Sequence, residues 1–226
     1  MLFTIHNGAY QQALSAADRA QTEVYPSSSM AGSSMLALGL AYADKVNTVS
    51  KGYAAELLSE PAANGLAALY QARGEDFSGI LNGCDYEQWD PATDIYLTTK
   101  YSRSKLKGKL ACKAEMRQRY DLEQNETPLF VLVSRITEQK GFAYLLPALE
   151  QWLAKAEAQV LMMGTGDQSY VALLRSLNDK FPGRFVFVEG FDEALSHQLE
   201  AAGDFFLMPS LFEPCGLNQI YSLRYG

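Results

Sequence analysis

From Thr127 onward the chain alternates wholly apolar runs with amphipathic stretches, and that alternation leaves few architectures open. "PLFVLVSR", "QVLMMGTGD", "RFVFVEG" and "DFFLMPS" read as strands. Between and after them, "TEQKGFAYLLPALEQWLAKA", "SYVALLRSLNDKF", "DEALSHQLEAAG" and "GLNQIYSLRYG" read as helices. A strand with no polar side must be covered on both faces, which is the condition of a parallel sheet between helix layers. The expectation is a Rossmann-like α/β domain. Pro147 falls inside the first of these helices and is expected to kink or restart it, since proline removes one backbone hydrogen bond.

The earlier part of the chain follows the same grammar less regularly. "MLFTIHN" reads as a strand that delivers His6 and Asn7 at its end; "SSMLALGLAYAD", "KVNTVS" and "KGYAAELLS" read as helix, strand and helix. "FSGILNGCDYEQWDP" is a strand entering an Asn-Gly turn and then a loop, an exit from one domain near Asn82. The division expected is 1–82, a connection over 83–126, and a second domain over 127–226. A domain seldom starts on a buried strand or stops at a helix with no partner after it, so both domains are expected to be incomplete.

Composition removes several classes of function. A chain of 226 residues with 48% hydrophobic content buries a sizeable core. Its net charge of -7 argues against a general polyanion binder, so no nucleic-acid partner is expected. No apolar run reaches the length of a membrane span, and the first residues lack a secretory signal, so no membrane partner is expected either. Cys84, Cys112 and Cys215 are odd in number and far apart, and only two histidines are present. No disulfide framework or metal site follows from them, and a cytoplasmic setting fits. Eight basic residues crowd the stretch from Lys100 to Arg119, with Glu115 as its one acid. They read as a solvated helix face or as a surface for an anionic neighbour.

In an open parallel sheet, ligands bind beyond the carboxyl ends of the strands. That rule gathers Arg135 and Lys140, the Gly164-Thr165-Gly166-Asp167 turn, and Glu213 at one crevice. A guanidinium offers forked donors and an ammonium a movable charge, a sensible pair for a diphosphate. Equally, Arg135 could cap carbonyls and Lys140 be solvated, and the two glycines could form only a tight turn. In "FEPCGLNQ", Pro214 restricts Glu213 while Gly216 allows close backbone approach where a helix begins. That fits an anionic or polyhydroxyl ligand, or a simple turn with Cys215 as a small buried hydrophobe. His6 at a strand end is ambiguous in the same way; His197, in mid-helix, reads as structural and Cys112 as inert.

Taken together, "TIHN", "ILNGCD…WDP", "VSRITEQKG", "GTGD" and "HQLEAAGDFFLMPSLFEPCGLNQIYSLRYG" resemble the bacterial glycogen synthase and plant starch synthase family. These are retaining glucosyltransferases of the GT-B fold, with two Rossmann-like domains, that use ADP-glucose. The motifs stand in the family's order from Ile5 to Gly226. The resemblance implies that Arg135 and Lys140 hold the donor diphosphate and stabilise the departing ADP. It places Glu213 near the transferred glucose, with Cys215, Gly216 and Leu217 contacting sugar and phosphate. Asn218 falls where some members have a threonine contacting phosphate. His6 matches a histidine that reaches the glucose, Asn82 lines the nucleotide side, and Phe191 stands where many members have a tyrosine near the adenine. Gln139 is a weaker contact, and Gly164 and Gly166 belong to the nucleotide side.

The implied reaction moves glucose from ADP-glucose to the non-reducing end of an α-1,4-glucan such as glycogen, with retention and with no cofactor or metal. Retaining glycosidases place two carboxylates about 5 Å apart. Here Glu213 has no convincing second, and Tyr221 occupies the place, eight residues on, where related families carry another Glu. A same-face mechanism follows. The family's Lys-x-Gly-Gly-Leu loop is absent, and the region from Gln11 to Ser34 lacks its Gly-Leu-Glu-Phe stretch and reads as shortened. Alternatives are a GT-B transferase with another donor, such as UDP-glucose, or a non-catalytic nucleotide-sugar-binding fragment. A plant-type relative would place the chain in a plastid.

Overall fold

The computed structural model describes residues 1–15 and 34–226, so most of the stretch expected to be shortened lies outside the described residues. Packing divides the chain into two compact units, one of Met1–Gly83 with Glu213–Cys215, the other of Cys84–Phe212 with Gly216–Gly226.

The first unit holds a parallel sheet of β1 (Leu2–Ile5), β2 (Lys45–Thr48) and β3 (Phe77–Gly79), in that spatial order. Among the described residues, three helices accompany it: α1 (Met35–Tyr42), α2 (Lys51–Glu56) and α3 (Ala67–Ala72). Serines start the first two, Ser34 accepting from the Ala37 N–H and Ser50 from that of Tyr53, each satisfying a donor that a helix start leaves orphaned. Leu40, Val46, Tyr53, Leu57 and Tyr70 fill the core. The Thr48 hydroxyl donates to the Ile5 carbonyl at 2.7 Å, stitching the ends of β1 and β2.

The second unit opens with α4 (Lys107–Arg119) and continues as the alternation predicted. Its strands are β4 (Leu129–Ile136), β5 (Gln159–Gly166), β6 (Phe185–Glu189) and β7 (Phe205–Phe206), all parallel in the order β6-β5-β4-β7. The helices are α5 (Phe142–Leu153), α6 (Gln168–Lys180), α7 (Glu193–Ala202) and α8 (Leu217–Tyr225). Side chains alternate across a strand, and β5 shows the result: Val160 and Met162 pack with Phe142, Leu146 and Leu174, while Leu161 and Met163 pack with Met116, Leu195 and Leu199. Thus α5 and α6 cover one face, α4 and α7 the other.

The structure departs from expectation at four places, each for a physical reason. Helix α5 runs unbroken through Pro147, because Phe142, Leu146, Leu149 and Leu153 bury its apolar stripe on the sheet and outweigh the lost hydrogen bond. Its start is later than predicted: Glu138–Lys140 form a 3₁₀ turn, and Gly141 reverses at φ +75° before the helix begins. "GTG" is not a turn; Gly164 and Gly166 extend β5, paired with Ser134 and Ile136 of β4, and the chain turns only at Asp167. The strand expected over "DFFLMPS" shrinks to Phe205–Phe206.

The basic run is also not one solvated face. Arg117 is buried, and Lys109 and Lys113 are half-buried. Arg117 donates to the Gln159 side chain at 2.7 Å and to the carbonyls of Asn125 and Thr127. Lys113 pairs with Asp204 at 2.6 Å, and Lys109 donates to the Ala201 carbonyl at 3.2 Å. Cys112 is buried on the same helix, which pushes its thiol up to about 11 and leaves it inert at neutral pH.

Candidate functional site

The carboxyl ends of β4 and β5 open into a cavity of about 360 Å³ in the second unit. Arg135, Lys140, Gly164, Phe191 and Asn218 all line it, together with Ser134, Thr165, Met163, Val133 and Gly190. Five residues singled out from the sequence thus meet in one place. Arg135 is exposed at the penultimate position of β4 and Lys140 is half-buried at the end of the 3₁₀ turn. The reversal at Gly141 sets that turn, and a Cβ there would sit 2.0 Å from the Pro209 carbonyl oxygen, so only glycine fits. Phe191 lines the cavity and is 76% exposed.

Other candidates frame the cavity without lining it. Gly166 closes β5, and Asp167 caps α6 by accepting from the Ser169 N–H at 2.8 Å. Ser169 also donates its hydroxyl, and these two bonds hold the Asp167 carboxyl below its ordinary value. Gln139 spends its side-chain amide on the Phe212 carbonyl at 3.3 Å and accepts from the Leu211 N–H at 2.9 Å, so it braces the loop leading to Glu213. Gly216 starts α8 at φ +79°, where a Cβ would strike the Gln219 side chain, and Leu217 is the helix's first residue.

The first unit carries His6, Asn82, Glu213 and Cys215. His6 is exposed just past β1. One long-range bond and one local bond fix the loop behind it: the Gly8 N–H donates to the buried Tyr53 hydroxyl at 2.9 Å, and Asn7 accepts from the Ala9 N–H at 3.0 Å. Asn82 is half-buried and donates its N–H to the Val49 carbonyl at 3.2 Å. Glu213 and Cys215 are half-buried around the buried Pro214.

Sequence reasoning placed Thr165 at the crevice but missed Ser134 and Gly190 as cavity walls, although each lies at or just past a strand's carboxyl end and that position was the available signal. It also missed a buried polar cluster elsewhere in the second unit. His197 is 1% exposed, its Nδ1 lies 2.8 Å from Asp94 Oδ2, and its ring stacks on Trp89, which stacks in turn on Tyr221. Burial pushes the Asp94 carboxyl up, but bonds from His197, the Tyr225 hydroxyl and the Tyr96 N–H outweigh it and leave the group lowered. His197 is therefore structural, as its mid-helix position indicated. Among the described residues no group of three or more His, Cys, Asp or Glu side chains forms a metal site, and no helix is long and apolar enough to cross a membrane.

Two families of known proteins match this chain, "Starch synthase catalytic domain" over residues 1–72 and "Glycosyl transferases group 1" over residues 127–226. Glycogen synthase of Aeromonas hydrophila is 45% identical over 231 residues, covering all of this chain and 47% of that protein. Glycogen synthase of Vibrio cholerae is 45% identical over 238 residues, covering all of the chain and 48% of the relative. The chain thus spans about half the length of these relatives. Among solved structures, the catalytic domain of starch synthase IV from Arabidopsis thaliana, bound to ADP and acarbose, superposes with a TM-score of 0.88 at 30% identity, over 99% of this chain and 48% of that one. Anabaena HepE in complex with UDP and glucose shares the fold at a TM-score of 0.59 and 20% identity. The parallel α/β sheets, the basic cavity at their carboxyl ends and these likenesses agree: the chain belongs to the glycogen synthase and starch synthase family, of the GT-B fold.

Proposed function

We propose that this chain carries the nucleotide-sugar site of an enzyme that transfers glucose from ADP-glucose to the non-reducing end of an α-1,4-glucan, with retention of configuration. The observation that carries this reading is the cavity in which Arg135 and Lys140 stand with Gly164, Phe191 and Asn218. Two cations at the end of a parallel strand suit a diphosphate, and they act most strongly on the charge that develops as ADP departs. Phe191 offers the adenine an aromatic face. The sugar falls to Glu213 and His6, with Asn82, Cys215, Gly216 and Leu217 in supporting contacts. Glu213 as the single suitable carboxylate among the described residues supports attack and departure on the same face of the glucose over a covalent intermediate. The starch synthase IV structure with ADP and acarbose supports the choice of donor and acceptor class. No cofactor is assigned, and three free cysteines fit a reducing cytoplasm.

Calorimetric titration of the chain with ADP, ADP-glucose and UDP-glucose tests this reading. ADP and ADP-glucose are expected to bind, with UDP-glucose at least tenfold weaker. A folded chain that ignores ADP would overturn the site assignment, and equal affinity for UDP-glucose would move the donor to another nucleotide.

A further inference from the structure

Strand β7 ends early, and the register of its ladder identifies why. Phe130 pairs with Phe205 and Val131 with Phe206, and the Leu207 N–H donates to the Val131 carbonyl at 2.8 Å. Bonds in a parallel ladder recur every second residue, so the Val133 carbonyl points the same way and calls for the N–H of residue 209. That residue is Pro209, which has none. An unpaired carbonyl at this point would lie in the wall of the ligand cavity, since Val133 lines it.

Asn218 fills the gap. Its Nδ2 donates to the Val133 carbonyl oxygen at 2.7 Å, across 85 residues of chain. The amide orientation follows from chemistry, because a carbonyl only accepts and the nitrogen must face it. Asn218 is the second residue of α8, and Val133 is two residues before Arg135 on β4. The single bond therefore ties the first turn of α8, with N–H groups that have no partner inside the helix, to the strand that presents the guanidinium. Pro209 is fixed on its other side by its carbonyl's close approach to Gly141, so the chain cannot shift to provide another donor cheaply.

We propose that Asn218 is a positioning residue: its side-chain amide takes the place of the N–H that Pro209 lacks and so holds the first turn of α8 at the phosphate end of the cavity. As far as it concerns a ligand, this rests on the nucleotide-sugar reading above. The family resemblance places a phosphate contact at this position; here the amide nitrogen goes first to the protein, and Asn218 serves the phosphate through the helix it anchors.

The test is a cycle in the whole 226-residue chain. On the wild-type chain, hydrogen exchange by NMR should show the Asn218 side-chain amide and the α8 amides that follow it protected at least tenfold over an exposed amide. Asn218→Asp keeps the shape but cannot donate to the carbonyl, and Asn218→Ala removes the group; both should lose that protection in α8 and lower the melting temperature. Pro209→Ala alone should change little, because the carbonyl is already occupied. Added to Asn218→Ala, it supplies the missing rung and should restore most of the melting temperature while α8 stays loose. Additive effects of the two substitutions, or an unprotected Asn218 amide in the wild-type chain, would overturn the proposal. A calorimetric arm with ADP separates the two readings. If the wild-type chain binds ADP, Asn218→Ala should bind it about tenfold more weakly and the double variant should stay weak; unchanged affinity would sink the positioning role. If the wild-type chain does not bind ADP, the functional reading falls, and the exchange and melting data still decide whether Asn218 replaces Pro209.

Discussion

Arg117 and Arg135 serve the same sheet at opposite ends. Arg117 lies where the strands begin: it is 6% exposed and spends its guanidinium on Gln159, the first residue of β5, and on two carbonyls of the segment entering β4. Arg135 lies where β4 ends, exposed and facing a cavity. The amino end of the sheet is sealed by a basic side chain acting as a multiple backbone cap, and the carboxyl end keeps its basic side chains at an opening. Charge alone does not distinguish a buried brace from a side chain at an opening. What the group faces decides it.

Substitution at the two arginines breaks this contrast if anything does. Arg117→Met leaves one buried side-chain oxygen and two carbonyls without their donor, and should cost about 3 kcal/mol of stability in urea unfolding. Arg135→Ala, at an exposed position, should cost less stability than Arg117→Met and yet abolish measurable ADP binding. Equal destabilisation by both would show that the two ends are not built differently.

A second comparison sits among the acids. Glu200 is 5% exposed between α7 and α8, where it accepts from the Ser222 hydroxyl at 2.7 Å. Burial pushes its carboxyl up to about 7, against the opposing effects of Ser222 and Lys109. A value raised on folding means that the folded chain binds the proton more tightly than the unfolded one. Stability therefore falls as pH rises from the ordinary carboxylate range to about 7, and the full penalty stands above that. Glu200→Gln removes the charge, so it should stabilise the chain by about 2 kcal/mol at pH 8 and by almost nothing at pH 4. Denaturant titrations at the two pH values check it; a gain that does not depend on pH would mean packing, not charge, is at issue.

Much of this was legible in the sequence, for reasons that explain the rest. The strands of the second unit are apolar throughout and the helices amphipathic, so periodicity alone gave the parallel sheet, and the crevice rule then brought Arg135, Lys140 and Gly164 together, while Phe191 and Asn218 came only from the family resemblance. Periodicity carries no information about long-range polar partners. That is why the Asp94–His197 pair, 103 residues apart, and the Asn218–Val133 bond, 85 apart, could not be read. The premature end of β7 was half visible: Pro209 was in plain view, but its meaning depends on which carbonyl stands opposite, and register is a tertiary fact.

Asp167 gives the finest version of the comparison, because it is a charge beside the cavity that serves structure. It follows Gly166 directly and would repel a diphosphate if it faced one, but its carboxylate accepts from both the N–H and the hydroxyl of Ser169 and caps α6. Those bonds hold its carboxyl low, so the cap is complete above the ordinary carboxylate range and is lost only as pH falls through the lowered folded-state value. Asp167→Ala should lower the melting temperature by about 3 °C at pH 7, with a smaller gap in strong acid, and leave ADP affinity unchanged or slightly tighter. Calorimetry and thermal scans read the two effects separately. Weaker ADP binding in this variant would mean that the carboxylate touches the ligand, and that even a capped acid at the carboxyl end of the sheet belongs to the site.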